Sequence, residues 1–246
     1  LLSRFVLEMV SSGRSAFTIR NYRLTIQHWQ DSGLGPMGYL AALNVSPSTR
    51  MLGGRMLKRY LAWEAARNGG DNPLADMHFR TPPPDPVRPF SPSEIAALMA
   101  ACRTRLEEAI ILCLLKLGLR ASELARVTEV DIEEGAIRIH GKGGKTRLLG
   151  ASPAIMRALV TLCEGRLTYQ AVYRTVKALG QRTRLARVHP HRFRHTFAHD
   201  FLAAGGDIGD LRVLLGHSSY TMVDRYCAYY ESERAVAAHR RFLEAG

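Results

Sequence analysis

Apolar residues recur at helical spacing along much of the chain. Ile19, Tyr22, Ile26 and Trp29 follow one another at steps of three, four and three, which predicts a helix over 17–30 with one buried stripe. Its other side carries Arg20, Asn21, Arg23 and Gln27. A second stripe, Leu57, Tyr60 and Leu61, predicts a helix over 49–67, with Arg50, Arg55, Lys58 and Arg59 on the polar side. Ser91, Pro92 and Glu94 then spell a helix start: an N-cap, a proline where no amide is needed, and a glutamate closing a capping box. Ile95, Leu98 and Cys102 continue that helix as its core stripe. The run 106–117 is strongly apolar, which predicts a central helix. There the period changes. Ala136-Ile137-Arg138-Ile139-His140 alternates, 141–144 turns and 145–149 returns, which predicts a β-hairpin in a mainly helical setting. Residues 235–243 predict one more short helix.

One stretch interrupts these patterns. Residues 81–89 hold five prolines in nine positions, so neither a helix nor a central strand can run through. The expected division is a helical domain at 1–80, a proline-rich linker at 81–90 and a second domain at 91–246. The fold class expected is mainly α, in two domains, with a small β-hairpin or sheet in the second.

Charge narrows the partner. The 246 residues carry 34 Lys/Arg and 22 Asp/Glu, a net charge of +12. Both parts contribute, with ten basic against five acidic residues in 1–80 and 23 against 16 in 91–246. With 46% apolar residues the chain can bury a core, so this is a basic globular protein rather than a disordered tail. Such a protein faces a polyanion, nucleic acid first and an anionic membrane second. The arginines of the two N-terminal helices are either a solvated charge face or cations laid against phosphates. The longest apolar run, Ala109 to Leu115, stops at Lys116, far short of the about 20 residues a membrane helix needs. Leu1 to Arg4 lack the order of a signal peptide, and the missing initiator Met suggests a trimmed start. A cytoplasmic location, at the nucleoid, is the expectation. Cys102, Cys113, Cys163 and Cys227 form no C-x-x-C pair, which argues against a zinc ribbon and a dithiol redox site.

Four segments of the second part present cationic or protonatable groups. They are Arg120-Ala121-Ser122-Glu123-Leu124, the hairpin tip with Lys142 and Lys145, His191-Arg192-Phe193-Arg194-His195, and Leu214-Leu215-Gly216-His217 followed by Tyr226. Singly, each has a plain reading. Arg120 can bridge to Glu123, and Tyr226 can pack with Tyr229 and Tyr230. His191, His195 and His199 have helical metal spacing, but no glutamate follows His191 and Arg194 would repel a cation. Gly144-Lys145-Thr146 resembles the end of a phosphate-binding loop, but Ile139 stands where its first glycine must be and a strand follows. Together, two arginines, two histidines, a lysine and a tyrosine suit one task. Guanidinium forks neutralise the non-bridging oxygens of a phosphodiester. A tyrosine hydroxyl attacks phosphorus, and a lysine or histidine proton meets the departing sugar oxygen.

These segments resemble the signature of the tyrosine recombinase, or phage integrase, family. The match is carried by R-A-S-E-L at 120–124, G-K-G-G-K-T-R at 141–147, H-R-F-R-H-T-F-A at 191–198, and L-L-G-H-S-S with Tyr226. The resemblance implies that Arg120, His191, Arg194 and His217 surround the scissile phosphate. It makes Lys142 the general acid, with Lys145 in reserve, Tyr226 the nucleophile and Glu123 a buried support. It makes Arg20, Arg23, Arg55, Lys58, Arg59, Lys145 and Arg192 candidate DNA contacts. It implies a core-binding domain followed by a catalytic domain, no cofactor, no metal and no membrane. The implied partner is double-stranded DNA with paired inverted half-sites, bound by a dimer per site and a tetramer in synapsis, with a related recombinase or activator protein as a further partner. The expected product is a 3′-phosphotyrosine and then a Holliday junction, as in a simple core-site, Xer-like recombinase. A type IB topoisomerase and a non-catalytic DNA-binding regulator on the same fold are the alternatives. The chain departs from the family pattern at Met222 and Val223, where relatives often carry Thr-Thr, and in the short stretch between Leu162 and Tyr169; unless the start was trimmed before Leu1, no further N-terminal domain is expected.

Overall fold

The computed structural model describes residues 1–80, 87–141, 144–217 and 224–244, the side chains of 224–226 and 228 excepted. The chain divides into two compact units, Leu1–Pro84 and Asp85–Gly246.

In the first unit, side-chain caps set the starts of the two longer helices. The Ser15 hydroxyl accepts from the Thr18 amide and opens α2 (Ala16–Asp31), after the short α1 (Leu2–Ser11). Ser46 caps α4 (Pro47–Asn68) in the same way, following α3 (Pro36–Ala42). The predicted stripes face inward: Ile26, Leu57, Tyr60 and Leu61 are buried around Phe5, and Ile19, Tyr22 and Trp29 pack against them half-buried. The Phe5 and Tyr60 rings meet edge-on with centroids 5.2 Å apart.

The second unit opens with the capping box expected at Ser91. Its hydroxyl accepts from the Glu94 amide while Glu94 accepts from the Ser91 amide, and α5 (Pro92–Ala100) follows. The apolar run becomes α6 (Arg105–Leu117), central to the core, with Ile110, Ile111, Cys113 and Leu114 fully buried. Gly118 ends it at φ 59°, a left-handed conformation that favours glycine. A Cβ there would also run into the Phe197 ring, so the close approach of α10 (Pro190–Ala203) requires the same residue. This turn leads into the single-turn α7 (Ala121–Leu124).

The hairpin forms as β2 (Ala136–His140) and β3 (Thr146–Gly150). A third strand, β1 (Ile132–Glu133), extends it to an antiparallel sheet in the order β1-β2-β3. Two residues are too few to show an alternating period, and this strand is absent from the sequence pattern. Then come α8 (Pro153–Glu164), α9 (Tyr169–Thr183), α10 and α11 (Ile208–Leu215). The last helix corrects an expectation. In place of a short helix at 235–243, α12 runs unbroken over Asp224–Glu244. No glycine or proline lies within it to stop it. Near its start Cys227 is buried with Ala198, Leu202, Leu211 and Leu215, which fastens α12 to α10 and α11. Among the described residues, no helix is long and apolar enough to cross a membrane.

Candidate active site

The site is organised by one buried carboxylate. Arg120 is the N-cap of α7, and its amide donates to Glu123 Oε2 at 2.9 Å while its Nη1 donates to Oε1 at 2.7 Å. The bridge weighed from the sequence is therefore present, but it is one part of a larger arrangement. Glu123 is only 5% exposed. From β3, Arg147 grips the same carboxylate with two nitrogens, Nη2 to Oε2 at 2.9 Å and Nη1 to Oε1 at 3.2 Å. Arg194 Nη1 lies 3.8 Å from Oε2. Burial by itself would raise the Glu123 pKa. Hydrogen bonds from Arg147 and the Arg120 amide, and the charges of both arginines, outweigh it and hold the group at about 2. One carboxylate thus stands among three guanidiniums, and the surplus positive charge suits an anion.

Arg194 is the most deeply buried of these cations, at 1% exposure. It donates to the carbonyls of Gly118 (2.7 Å) and Leu215 (2.5 Å) and to Nε2 of His217 (2.9 Å). Two helix C-termini, of α6 and α11, thus supply acceptors for one guanidinium. Arginine has only donors, so His217 Nε2 accepts and its ring proton sits on Nδ1. His217 follows Gly216, which turns left-handed at φ 64°; a Cβ there would come within 2.9 Å of Arg147 Nη1. Burial first, then the charges of Arg194, Arg120 and Arg147, push the His217 pKa down to about 4 against the opposing pull of Glu123. The ring is neutral at pH 7.

His191 stands in the first turn of α10, one turn before Arg194, and remains exposed. Desolvation and then the charges of Arg194 and Arg120 lower its pKa. His195, the next turn along, is lowered to about 4 by burial and then by His191, His189 and Arg194. The structure therefore brings Arg120, Glu123, His191, Arg194 and His217 together at the junction of α7, α10 and the end of α11. Lys145 is exposed beside the hairpin turn. Lys142, Met222 and Val223 lie outside the described residues, as does the side chain of Tyr226, whose main chain belongs to α12.

The expected DNA contacts divide. Arg20, Arg23 and Arg59 are exposed on their helices. Arg55 Nε donates to the Phe79 carbonyl, and Lys58 Nζ donates to those of Ala75 and Met77, so both reach toward their own chain. Arg192 must be corrected. It is 6% exposed, donates to the carbonyls of Arg88, Pro89 and Ala186, pairs with Glu94 and lies over the Phe90 ring. Its charge is satisfied inside the protein, where it anchors the segment that follows the proline-rich stretch. The three α10 histidines also part company, since His199 bonds to Glu233 at 2.8 Å. Among the described residues, no group of three or more His, Cys, Asp or Glu side chains is placed to hold a metal.

Arg147 was not among the residues singled out from the sequence, although the run G-K-G-G-K-T-R contains it. The available signal was strand alternation, which puts Arg147 on the side of buried Leu149, opposite buried Ile139.

Comparison with known proteins adds to this geometry. A family model described as the phage integrase family matches residues 89–233. Tyrosine recombinase XerC of Pseudomonas fluorescens is 34% identical over 163 residues, 55% of this chain and 55% of that protein. Tyrosine recombinase XerA of Pyrococcus horikoshii is 27% identical over 255 residues, covering 92% of this chain and 88% of that one. The chain spans about half the length of the XerC relatives it matches. Among solved structures, a lambda integrase dimer bound to a core site has a TM-score of 0.73 at 18% identity, covering 92% of this chain and 75% of that one. A XerA recombinase has a TM-score of 0.52 at 24% identity, with coverage of 92% and 91%. These two structures share its fold.

Proposed function

Since the chain belongs to the phage integrase family, we propose that it is a site-specific recombinase that cuts and rejoins DNA through a tyrosine. The observation that carries this reading is the surplus of guanidinium charge around buried Glu123, with neutral His217 bonded to Arg194. A phosphodiester brings one negative charge and its pentacoordinate transition state two, so a prearranged cationic site favours the transition state over the substrate. Arg120 and Arg194 neutralise the non-bridging oxygens, His191 hydrogen-bonds to them, and His217 holds Arg194 beside them through Nε2. The Tyr226 hydroxyl gives up its proton to water as its oxygen attacks phosphorus and the bond to the sugar 5′-oxygen breaks. Lys142, or Lys145 in its place, gives that oxygen a proton. The product is a 3′-phosphotyrosine and a free 5′-hydroxyl. Attack by the 5′-hydroxyl of a second strand releases the tyrosine and passes through a Holliday junction. The bond energy stays in the protein–DNA link, so no nucleotide cofactor is needed, and guanidinium charge takes the place a metal would fill.

In this reading residues 1–80 form a core-type DNA-binding domain, 81–90 a linker and 91–246 the catalytic domain. The substrate is a duplex with inverted half-sites, bound by a dimer and brought together in a tetramer. The target is identified by sequencing DNA captured covalently on the protein in cells. A nicked oligonucleotide of that sequence, in EDTA, should give a denaturation-stable adduct with the wild type. Tyr226→Phe should bind the same DNA and give none. An adduct mapped to Tyr229 or Tyr230, loss of the adduct in EDTA with its return in magnesium, or relaxation of any supercoiled plasmid by a monomer would each overturn part of this assignment.

A further inference from the structure

Arg147 ties the hairpin that carries Lys142 and Lys145 to Glu123 and to the end of α11. On the β1 side, Arg138 pairs with Glu133 and His140 with Asp131. On the site side, among the described residues, the joining hydrogen bonds come from Arg147. Its two terminal nitrogens hold Glu123, and its Nε donates to the Leu214 carbonyl at 2.6 Å. Its side chain is 7% exposed. It stands two residues after Lys145, whose carbonyl closes the turn by accepting from the Gly141 amide at 2.7 Å. Gly216 leaves room for the guanidinium, since a Cβ there would press on Nη1. Arg120 has its own hold on Glu123 through both its amide and its side chain, so it does not depend on Arg147 for its place.

We propose that Arg147 is a positioning residue, whose grip on Glu123 and the Leu214 carbonyl fixes where the hairpin, and with it the proton-donating lysine, meets the phosphate. The proposal rests on the recombinase reading above. It assigns Arg147 to the leaving-group side of the reaction rather than to the non-bridging charge. A planar fork with a third donor at Nε makes all three bonds at once. A lysine keeps the charge beside Glu123 but cannot hold both partners.

The test uses Arg147→Lys with the nicked oligonucleotide of the captured site, and the same oligonucleotide with sulfur at the bridging 5′ position. Sulfur leaves without a proton. DNA binding should stay within about 3-fold of wild type, while cleavage of the oxygen substrate falls about 100-fold, the low end of what a positioned acid contributes. The sulfur substrate should restore the variant to within about 3-fold of wild type, whereas Arg120→Ala should remain slow on both. A variant equally slow on oxygen and sulfur would overturn the proposal. Amide exchange in the DNA-free protein provides an independent measure. Arg147→Lys should speed exchange across 137–149 about 10-fold more than across α6; equal change in both would mean only general destabilisation and also overturn it. A wild type that forms no adduct on either substrate would instead defeat the recombinase reading, leaving the exchange result to judge the hairpin tie.

Discussion

Two sets of arginines, one in each unit, are used in opposite ways. In the first, Arg20, Arg23 and Arg59 stand exposed on helix faces whose other sides make the core. Solvent holds these charges, so they add little to the fold and remain available to a polyanion. In the second, Arg147, Arg192 and Arg194 are almost wholly withdrawn from water. Each is held by backbone carbonyls together with Glu123, Glu94 or a neutral histidine. Burying a guanidinium is costly unless its donors are matched, and here several elements supply the acceptors. The first arrangement suits affinity that depends on salt. The second suits a fixed field that does not reorganise when a substrate arrives.

The contrast breaks first at Arg194. Arg194→Ala should slow cleavage at saturating DNA about 10²–10³-fold, the range seen when one preorganised transition-state donor is removed. It should also lower stability by roughly 2–4 kcal/mol, because two buried carbonyls lose their donor. Single-turnover cleavage and denaturant unfolding measure the two effects. Near-normal cleavage with lost binding would place Arg194 with the surface cations.

Acid provides a second, intermediate effect. His195 and His217 titrate at about 4 in the folded protein and near 6.5 when unfolded. Between those values the unfolded chain binds more protons, so the stability these rings contribute is complete above about pH 6.5 and is lost as the pH falls toward 4. Much of this loss comes before Glu123, held at about 2, takes up a proton. The melting temperature should fall across that window, and His217→Gln should flatten part of the fall. An identical pH profile for wild type and variant would show that His217 is not held neutral by its surroundings.

The smallest effects sharpen the surface side. Arg59→Ala should weaken binding a few-fold and reduce the slope of log affinity against log salt by about one, without changing cleavage at saturation. Arg192→Ala should leave that slope unchanged while lowering stability by roughly 1–2 kcal/mol, because half-buried Glu94 and the carbonyls of Arg88, Pro89 and Ala186 lose their donor. A reduced slope in Arg192→Ala would return that residue to the DNA surface.

The difference between the units also decides what could be read in advance. Helix stripes, the Ser91 capping box and the β2–β3 hairpin are written in residues no more than a few positions apart, where backbone geometry fixes who meets whom. So is the shared helix face of His191 and Arg194, three positions apart in the chain. The sequence by itself therefore determined the helical character of both units, the hairpin and the residue types gathered for phosphate chemistry. Tertiary structure decided which charges face water. Arg192 and Arg194 sit two positions apart on one helix, and neither burial nor partner could be read from their spacing. Arg192 reaches back 98 residues to Glu94, and Arg147 reaches 24 to Glu123. A guanidinium can be buried only where its acceptors converge. Here those acceptors are a carboxylate and the ends of α6 and α11, brought together by packing around the α6 core rather than by any local pattern in the chain.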